Sequence, residues 1–282
     1  MSDFRFGWWT TGRDEAAVNL FDVVYEAVKN GEIKGDFCYL FLSRREGEGA
    51  FSDKLIRLAQ KRDIPLVLFS AMDFEPGLRK TNRSLWRTRY HQKLYYKIAP
   101  FNCPLVILAG YMWVLSPEIC SKVSAINLHP ALPGGPAGTW QEVIWQLLEG
   151  GAEKTGAMMH LVTPELDKGP AVTFFAFPIR GKGWDELWEE FFSLRSKKGM
   201  NYVKERIGES LPLFKKIRQE GEIRELPLIV ETLKAFSDGR LVLENGKFFD
   251  EKGQPLSRPL DLSRLVDEKI NKQDSYMQPS SR

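Results

Sequence analysis

Apolar runs and amphipathic segments alternate along most of the chain. Short apolar runs bounded by glycine, proline or charged residues predict strands. Such runs occur at 4–9, 36–43, 65–70, 103–110, 156–162 and 171–179, and a further run ends at residue 129. The segments between them repeat apolar residues at helical spacing, as after the first strand with Val18, Phe21, Val24, Tyr25 and Val28. Strands alternating with helices predict an α/β fold built on a mostly parallel, twisted sheet.

The remainder of the chain has a different pattern. We expect residues 71–86 to be irregular and residues 184–220 to be helical, with Pro212 breaking that stretch into two helices. The sequence GRLVLENGKFFDEKG predicts a β-hairpin with an Asn-Gly turn. We expect one domain over 1–250, followed by a polar tail over 251–282. Within the domain we distinguish a phosphate-side half (1–110), a catalytic half (111–182) and a helical segment with the terminal hairpin (183–250).

Candidate chemistry is concentrated in residues 108–170. Asn127 and His129 are two apart, so on a strand they point to the same side, and Pro130 ends the strand directly after them. Ligands bind at this carboxyl end of the strands in open α/β sheets. Asp167 follows 38 residues after His129. An amide, an imidazole and a carboxylate can stabilise an oxyanion and move a proton at an acyl centre, unless these residues only cap a turn.

No serine or cysteine in this stretch is an obvious nucleophile, so a direct attack by the substrate's own amine is the natural reaction. The segments LAGYMWVLSP, NLHPAL and TGAMMHLVTPELDKGP, in this order, resemble the folate-dependent formyltransferases. The resemblance implies a Rossmann-like formyltransferase fold with helices on both faces of the sheet. It also implies that Asn127, His129 and Asp167 form the catalytic trio. Within the family, the branch that formylates glycinamide ribonucleotide is the most similar.

The same resemblance implies a site for the folate co-substrate. Residues 111–115 correspond to the segment that holds the pterin ring, mainly through backbone groups. The expected cofactor-side residues are Arg87, Met112, Trp113, Val114, Leu115 and Leu166. Trp113 departs from the family, in which an arginine is common at this position. Arg87 corresponds to an arginine near the substrate phosphate. By composition alone, residues 112–115 would be core residues.

Candidate substrate contacts lie at both ends of the domain. The first loop is longer than the family's S-G-x-G-S-N-L, yet Gly12, Arg13 and Asn19 are candidates for phosphate contacts; the alternative is an ordinary helix entry. Glu222 matches a family glutamate that would hold the glycinamide amine or the ribose, although Ile223 replaces its usual histidine neighbour. The loop PGGPAGTW also departs from the family and indicates a differently shaped approach to the amine.

Composition narrows the class of protein, its location and its possible partners. The 282 residues are 43% hydrophobic and 27% charged, as in ordinary globular proteins. No apolar run approaches the roughly 20 residues that span a bilayer, and the N-terminus lacks signal-peptide features, so we expect a cytoplasmic protein. A net charge of +3 with dispersed basic residues argues against a nucleic-acid partner. The three widely spaced cysteines predict buried thiols and neither disulfides nor a metal site.

The expected reaction is formyl transfer from 10-formyltetrahydrofolate to the amine of glycinamide ribonucleotide, by a monomer or homodimer that uses no metal. Other formyl acceptors stay open. A sugar nucleotide is compatible with the unusual loops, whereas a methionyl-tRNA enzyme would need a basic RNA-binding domain that the C-terminal hairpin does not supply. Formyltetrahydrofolate hydrolases usually carry an additional N-terminal regulatory domain. The non-enzymatic alternative is a folate- or nucleotide-binding module without chemistry.

Overall fold

The computed structural model describes residues 4–277, so the last residues of the predicted tail, 278–282, lie outside the described residues. The strands in this part of the chain are β1 (Phe4–Thr10), β2 (Gly35–Leu42), β3 (Leu66–Leu68), β4 (Leu105–Leu108), β5 (Ala125–His129), β6 (Lys154–Leu161), β7 (Ala171–Pro178), β8 (Leu241–Glu244), β9 (Lys247–Asp250) and β10 (Leu260–Asp261).

The helices are α1 (Glu15–Lys29), α2 (Ala50–Lys61), α3 (Pro76–Thr81), α4 (Arg83–Ile98), α5 (Pro117–Cys120), α6 (Trp140–Gly150), α7 (Asp185–Lys198), α8 (Met200–Tyr202), α9 (Pro212–Ser237) and α10 (Ser263–Met277). Short helical turns cover Ala99–Phe101, Val203–Ile207 and Gly208–Ser210. Within residues 4–277, no helix combines the length and the apolar character that crossing a membrane requires. Pro212 begins α9, which confirms the predicted break at that residue. The prediction of two helices was wrong, because Gly199 ends α7 and short helical turns separate α7 from α9.

The chain divides into two compact units. The first comprises the residues up to Leu128 together with Met159–Val172 and Ile229–Pro259. Its strand order is β3-β2-β1-β4-β5, with every neighbouring pair parallel. The end of β6 follows, where the Val162 N–H donates to the Ala125 carbonyl at 2.8 Å. The order reverses direction between β1 and β4, and such a reversal opens a ligand crevice at the carboxyl ends of the strands.

Two neighbouring tryptophans on β1 show that helices cover both faces of this sheet. Successive strand residues point to opposite faces. Trp8 packs against Phe21 of α1, with ring centroids 6.0 Å apart, whereas Trp9 belongs to a buried cluster that includes Tyr90 and Leu94 of α4. The predicted α/β architecture with a mostly parallel sheet and helices on both faces is therefore confirmed.

The segment 71–86 is more regular than the sequence suggested. It contains α3 and the first turn of α4, so the prediction of an irregular segment was wrong for those residues. The reason is a buried anchor: Trp86 is 1% exposed, and its indole N–H donates to the Phe74 carbonyl at 2.7 Å. Proline is favourable at the first position of a helix, where Pro76 stands, so burying Trp86 has to offset only the low helix propensity of Gly77.

The second unit comprises His129–Met158, Thr173–Leu228 and the residues from Leu260 onward. Within it, the Ile179 N–H donates to the Glu153 carbonyl at 2.9 Å at the ends of β6 and β7. β10 pairs in parallel with β7. The hairpin β8–β9 lies in the first unit and is antiparallel. Its turn residues Asn245 and Gly246 have φ of 48° and 71°, which confirms the predicted Asn-Gly turn.

Candidate active site

The predicted catalytic strand is β5. It ends at His129, directly before Pro130, as the sequence predicts. Asn127 is half-buried on this strand, and His129 is buried with 2% of its surface exposed. Because the two residues are two positions apart on one strand, their side chains leave it in the same direction. β5 therefore carries an amide at Asn127 and an imidazole at its last residue.

The unusual glycine-rich loop after β5 holds the His129 ring. Gly134 and Gly138 have φ of 77° and 116°, a backbone region that residues with a Cβ rarely adopt. The loop brings the Pro136 carbonyl to 2.8 Å from His129 Nε2. A carbonyl only accepts hydrogen bonds, so Nε2 carries a proton. The neutral ring therefore lacks a proton on Nδ1, and the imidazolium carries one there.

His160 brings Asn127 and Asp167 together. Its Nδ1 lies 2.9 Å from the Leu161 carbonyl and must donate to it, so in the neutral ring Nε2 is an acceptor. Asn127 Nδ2 is 3.2 Å from this Nε2, and Asp167 Oδ1 is 3.6 Å from it. The neutral ring thus receives one N–H of the Asn127 amide and fixes which end of that amide carries the nitrogen.

A tight turn between β6 and β7 carries Asp167. The side chain of Asp167 is only 7% exposed, and its backbone is left-handed, with φ of 53°. Aspartate tolerates this conformation better than most residues. Gly169 is required in the same turn, because a Cβ there would lie 1.8 Å from the Leu161 carbonyl oxygen. The turn therefore folds back closely on β6 and buries a carboxylate beside His160.

At the strand-order reversal, Thr11 joins the ends of β1 and β4. Its N–H donates to the Gly110 carbonyl at 3.0 Å, and its hydroxyl oxygen accepts from the Met112 N–H at 3.0 Å. Gly12 follows with φ of 59°, and a Cβ there would lie 2.9 Å from Ser52 Cα. The predicted phosphate loop and the predicted folate segment are consequently hydrogen-bonded neighbours.

The other predicted phosphate contacts are placed less favourably for an anion. Asp14 caps α1, where its carboxylate accepts from the Ala17 N–H at 3.2 Å and adds a negative charge that repels anions. Arg13 lies 3.6 Å from this carboxylate. Asn19 is exposed and lies in the second turn of α1, away from its N-terminus. A further cation is present: Arg44 donates to the Gly12 carbonyl at 3.3 Å.

The predicted folate segment combines exposed and buried apolar side chains. Met112 is 39% exposed, whereas Leu115 is 4% exposed. Trp113 and Val114 are half-buried, and the Trp113 ring lies 5.1 Å from that of Trp86. The departure at position 113 thus has a local cause, because the 71–86 segment supplies a second indole for Trp113 to pack against. Leu166, in the Asp167 turn, is 49% exposed.

A buried histidine holds both ends of the folate segment. His91 on α4 accepts from the Ser116 N–H at Nδ1, 3.0 Å away, and its Nε2 lies 3.4 Å from the Tyr111 hydroxyl. Burial, together with the positive charge of the half-buried Arg87, lowers the pKa of His91 to about 3. At neutral pH the ring is therefore uncharged and can accept at Nδ1.

In the second unit, Glu222 on α9 is already paired. Arg218, one turn earlier, lies 2.6 Å from its carboxylate through Nη2. The Glu222 side chain is 40% exposed, and its neighbour Ile223 is an exposed apolar residue. A glutamate that neutralises an arginine attracts an amine less strongly than a free carboxylate does, which weakens the predicted role of Glu222.

The chain matches a known protein family over most of the segment that carries the predicted site. The family model described as "Formyl transferase" matches residues 19–184, more than half of the chain. This chain belongs to the formyl transferase family. The match includes the β5 residues and the Asp167 turn, and it confirms the resemblance inferred from the three motifs.

Individual family members resemble the chain at moderate identity. The phosphoribosylglycinamide formyltransferase of Schizosaccharomyces pombe is 29% identical over 176 residues, which are 59% of this chain and 81% of that protein. Its Escherichia coli counterpart is 28% identical over 158 residues, 55% of this chain and 66% of that protein. The Escherichia coli formyltetrahydrofolate deformylase is 31% identical over 122 residues, 43% of this chain and 39% of that protein.

Solved structures support the same fold. The phosphoribosylglycinamide formyltransferase of Coxiella burnetii in complex with CHES superimposes with a TM-score of 0.65 at 20% identity, covering 92% of this chain and 98% of that one. Glycinamide ribonucleotide transformylase 1 of Symbiobacterium toebii gives 0.61 at 19% identity, covering 92% and 94%. At these identities the likeness establishes the formyl transferase fold.

Four residues that the sequence analysis did not single out have structural roles at the predicted site loops and site residues. Thr11, Arg44, His91 and Pro136 each form a hydrogen bond to a predicted site loop or site residue. Only the glycines around Pro136 gave a sequence signal, as a departure from the family loop. The other three lie in ordinary strand-end or helix sequences, which do not reveal contacts with distant segments.

Proposed function

We propose that the protein transfers a formyl group from 10-formyltetrahydrofolate to the amine of glycinamide ribonucleotide, in the cytoplasm, where free thiols persist. The observation that carries the proposal is the Asn127–His160–Asp167 constellation next to the end of β5. The relatives from Schizosaccharomyces pombe and Escherichia coli both bear the name phosphoribosylglycinamide formyltransferase. Such a site requires a co-substrate with a reactive formyl group, which we assign to the segment 111–115, Leu166 and Arg87.

In the proposed mechanism, the acceptor amine attacks the formyl carbon, and the carbonyl oxygen becomes an oxyanion. Asn127 has a second N–H beyond the one donated to His160, and we assign that N–H to the oxyanion. His129, as an imidazolium, is the second donor. Its ring is held by the Pro136 carbonyl at 2.8 Å, so it need not reorganise during the reaction.

The remaining steps move protons and expel the folate. A carboxylate favours the charged form of a nearby imidazole, and we assign this task to Asp167. The tetrahedral intermediate then breaks its bond to N10 of the folate, and the attacking nitrogen loses a proton that Asp167 helps to relay to N10. The product is an N-formyl amide together with tetrahydrofolate, and no metal takes part in the proposed reaction.

The direct test supplies glycinamide ribonucleotide and 10-formyltetrahydrofolate together and follows folate release by absorbance. We expect turnover that depends on both substrates and disappears in His129→Ala. Turnover that survives in His129→Ala would remove the histidine from the mechanism. Absence of turnover with retained folate binding would contradict the acceptor and leave the cofactor assignment in place.

A specific observation favours testing a second acceptor. Asp14 places a carboxylate at the N-terminus of α1, and Glu222 is paired with Arg218, so two of the proposed ribonucleotide contacts are compromised. An amino-sugar nucleotide presents a primary amine without needing this phosphate site. Formylation of an amino-sugar nucleotide in the same assay, at a higher kcat/KM than glycinamide ribonucleotide, would move the acceptor assignment to that class.

A further inference from the structure

The second unit contains a cavity that the transfer mechanism does not use. It lies among α6, α9 and the strands β6 and β7. Its volume is about 20 Å³, which is room for about one water molecule or one small polar group below an open mouth. Ile144 and Phe177 contribute apolar walls, whereas Trp140, Arg218 and Glu225 contribute polar groups. A mostly apolar pocket with a few convergent polar groups is the usual form of a small-molecule site.

Two hydrogen-bond donors on the cavity wall lack an acceptor. Among residues 4–277, Trp140 Nε1 and Arg218 Nε are buried and have no hydrogen-bond partner. The two side chains are neighbours, since the Arg218 guanidinium carbon lies 4.6 Å from the Trp140 ring centroid. Buried N–H groups are nearly always paired, and leaving two unpaired is costly. An occupant of the cavity that offers lone pairs would satisfy both.

The local charge restricts the chemistry of that occupant. Arg218 Nη2 lies 2.6 Å from Glu222, and Nη1 lies 3.1 Å from Glu225, which is 6% exposed. The two carboxylates beside this guanidinium repel an anion. A cation offers no lone pairs to the two N–H donors. The remaining class is a neutral group with an acceptor oxygen.

We propose that this cavity binds a small neutral molecule through a primary carboxamide, whose carbonyl oxygen accepts from Trp140 Nε1 and Arg218 Nε. A carbonyl oxygen has two lone pairs and can accept from both donors. The amide NH₂ then faces the carboxylate side of the cavity, where Glu225 lies. None of the proposed catalytic trio lines the cavity, although Arg218 also pairs with Glu222, a predicted substrate contact.

Acetamide is the probe for the test, and sodium acetate of the same size is the charged comparison. The ceiling on affinity per atom limits acetamide to a Kd no tighter than about 10⁻⁵ M, so the titration extends to tens of millimolar. The readouts are the ¹H–¹⁵N resonances of the Trp140 indole N–H and the Arg218 Nε–H in the full-length protein. Trp140→Phe and Arg218→Lys assign these two resonances by their disappearance.

We expect acetamide to shift both resonances with one saturation curve and acetate to leave them unchanged. Arg218→Lys keeps the positive charge but removes the Nε–H, so it should weaken acetamide binding at the Trp140 indole at least about tenfold, the equivalent of one lost hydrogen bond. Arg224→Lys is the matched control. Arg224 lies on the same helix, pairs with Glu220 and Asp267, and lies 4.8 Å from the Phe177 ring centroid.

Three results would overturn the proposal. The first is the absence of a saturable shift, which would leave the cavity to a resident water molecule. The second is an equal response to acetamide and acetate, which would mean that no neutral carboxamide is selected. The third is an equal loss of binding in Arg218→Lys and Arg224→Lys, since a general effect of altering α9 would then explain the loss. Thermal melting of both variants shows whether each remains folded.

Discussion

Acidification should destabilise the protein through His91. Its ring is 1% exposed and accepts the Ser116 N–H at Nδ1. Protonation would place a hydrogen on that nitrogen, opposite another donor, and would charge a buried ring near the guanidinium of Arg87. Glu118 opposes this effect only weakly, since it is the smallest influence on the pKa of His91. The folded state therefore excludes a proton that the unfolded chain readily binds.

The magnitude follows from the pKa values of the two states. Folding lowers the pKa of His91 from 6.5 to about 3, so the unfolded state binds more protons between these values and stability falls as the pH decreases through this window. Above pH 6.5 the full stability is present. At pH 5 the loss is about 2 kcal/mol, from 1.5 pH units at 1.36 kcal/mol each. Such a loss is a substantial fraction of the stability of an ordinary domain.

Urea unfolding of the wild type and of His91→Asn between pH 7.5 and 5 measures the effect. Asparagine retains an acceptor for the Ser116 N–H but does not titrate. All other titrating groups are common to both proteins, so the difference between their pH dependences isolates His91. We expect the wild type to lose about 2 kcal/mol more than the variant. Parallel pH curves for the two proteins would refute the reasoning.

Three further predictions concern the site and the hairpin. Asn127→Ala should lower turnover about 10²–10³-fold, because it removes one oxyanion donor, while the lost hydrogen bond to His160 should cost only about 1 kcal/mol of stability; near-normal turnover would exclude that role. Asp167→Asn should retain the fold, since asparagine also tolerates φ of 53°, but lose at least about 10²-fold in turnover if the carboxylate acts in proton transfer. Gly246→Ala should cost about 1 kcal/mol in thermal unfolding, because its φ of 71° disfavours a Cβ; an unchanged stability would contradict this turn conformation.

Matched control variants separate a loss of turnover or a specific backbone effect from a general loss of stability. Asp167→Ala removes the charge as Asp167→Asn does, but it adds backbone strain in the left-handed region. The two variants should therefore share the loss of turnover and differ in stability. For the hairpin, Glu244→Ala changes an exposed residue at the end of β8 without altering a left-handed position, and it should leave unfolding almost unchanged.

The periodicity of apolar residues sufficed to predict the alternating strands and helices. Burial of one face imposes a repeat of 2 residues on a strand and of 3.6 residues on a helix. This periodicity also sufficed to place Asn127 and His129 together on one side of β5. It did not suffice for residues 71–86, where the buried anchor Trp86 decides the conformation. A single tryptophan in a polar segment does not reveal in the sequence which carbonyl its indole will reach.

The sequence by itself determined the fold class, the family and the residues at the end of β5, since local spacing and short motifs carry that information. Only the tertiary structure decided how the site is held. Thr11 bonds to Met112, 101 positions away, and His91 bonds to Ser116, 25 positions away. It also showed that Glu222 is paired with Arg218. The physical reason is that hydrogen bonds and ion pairs depend on distance in space, which chain position does not specify until the core has packed.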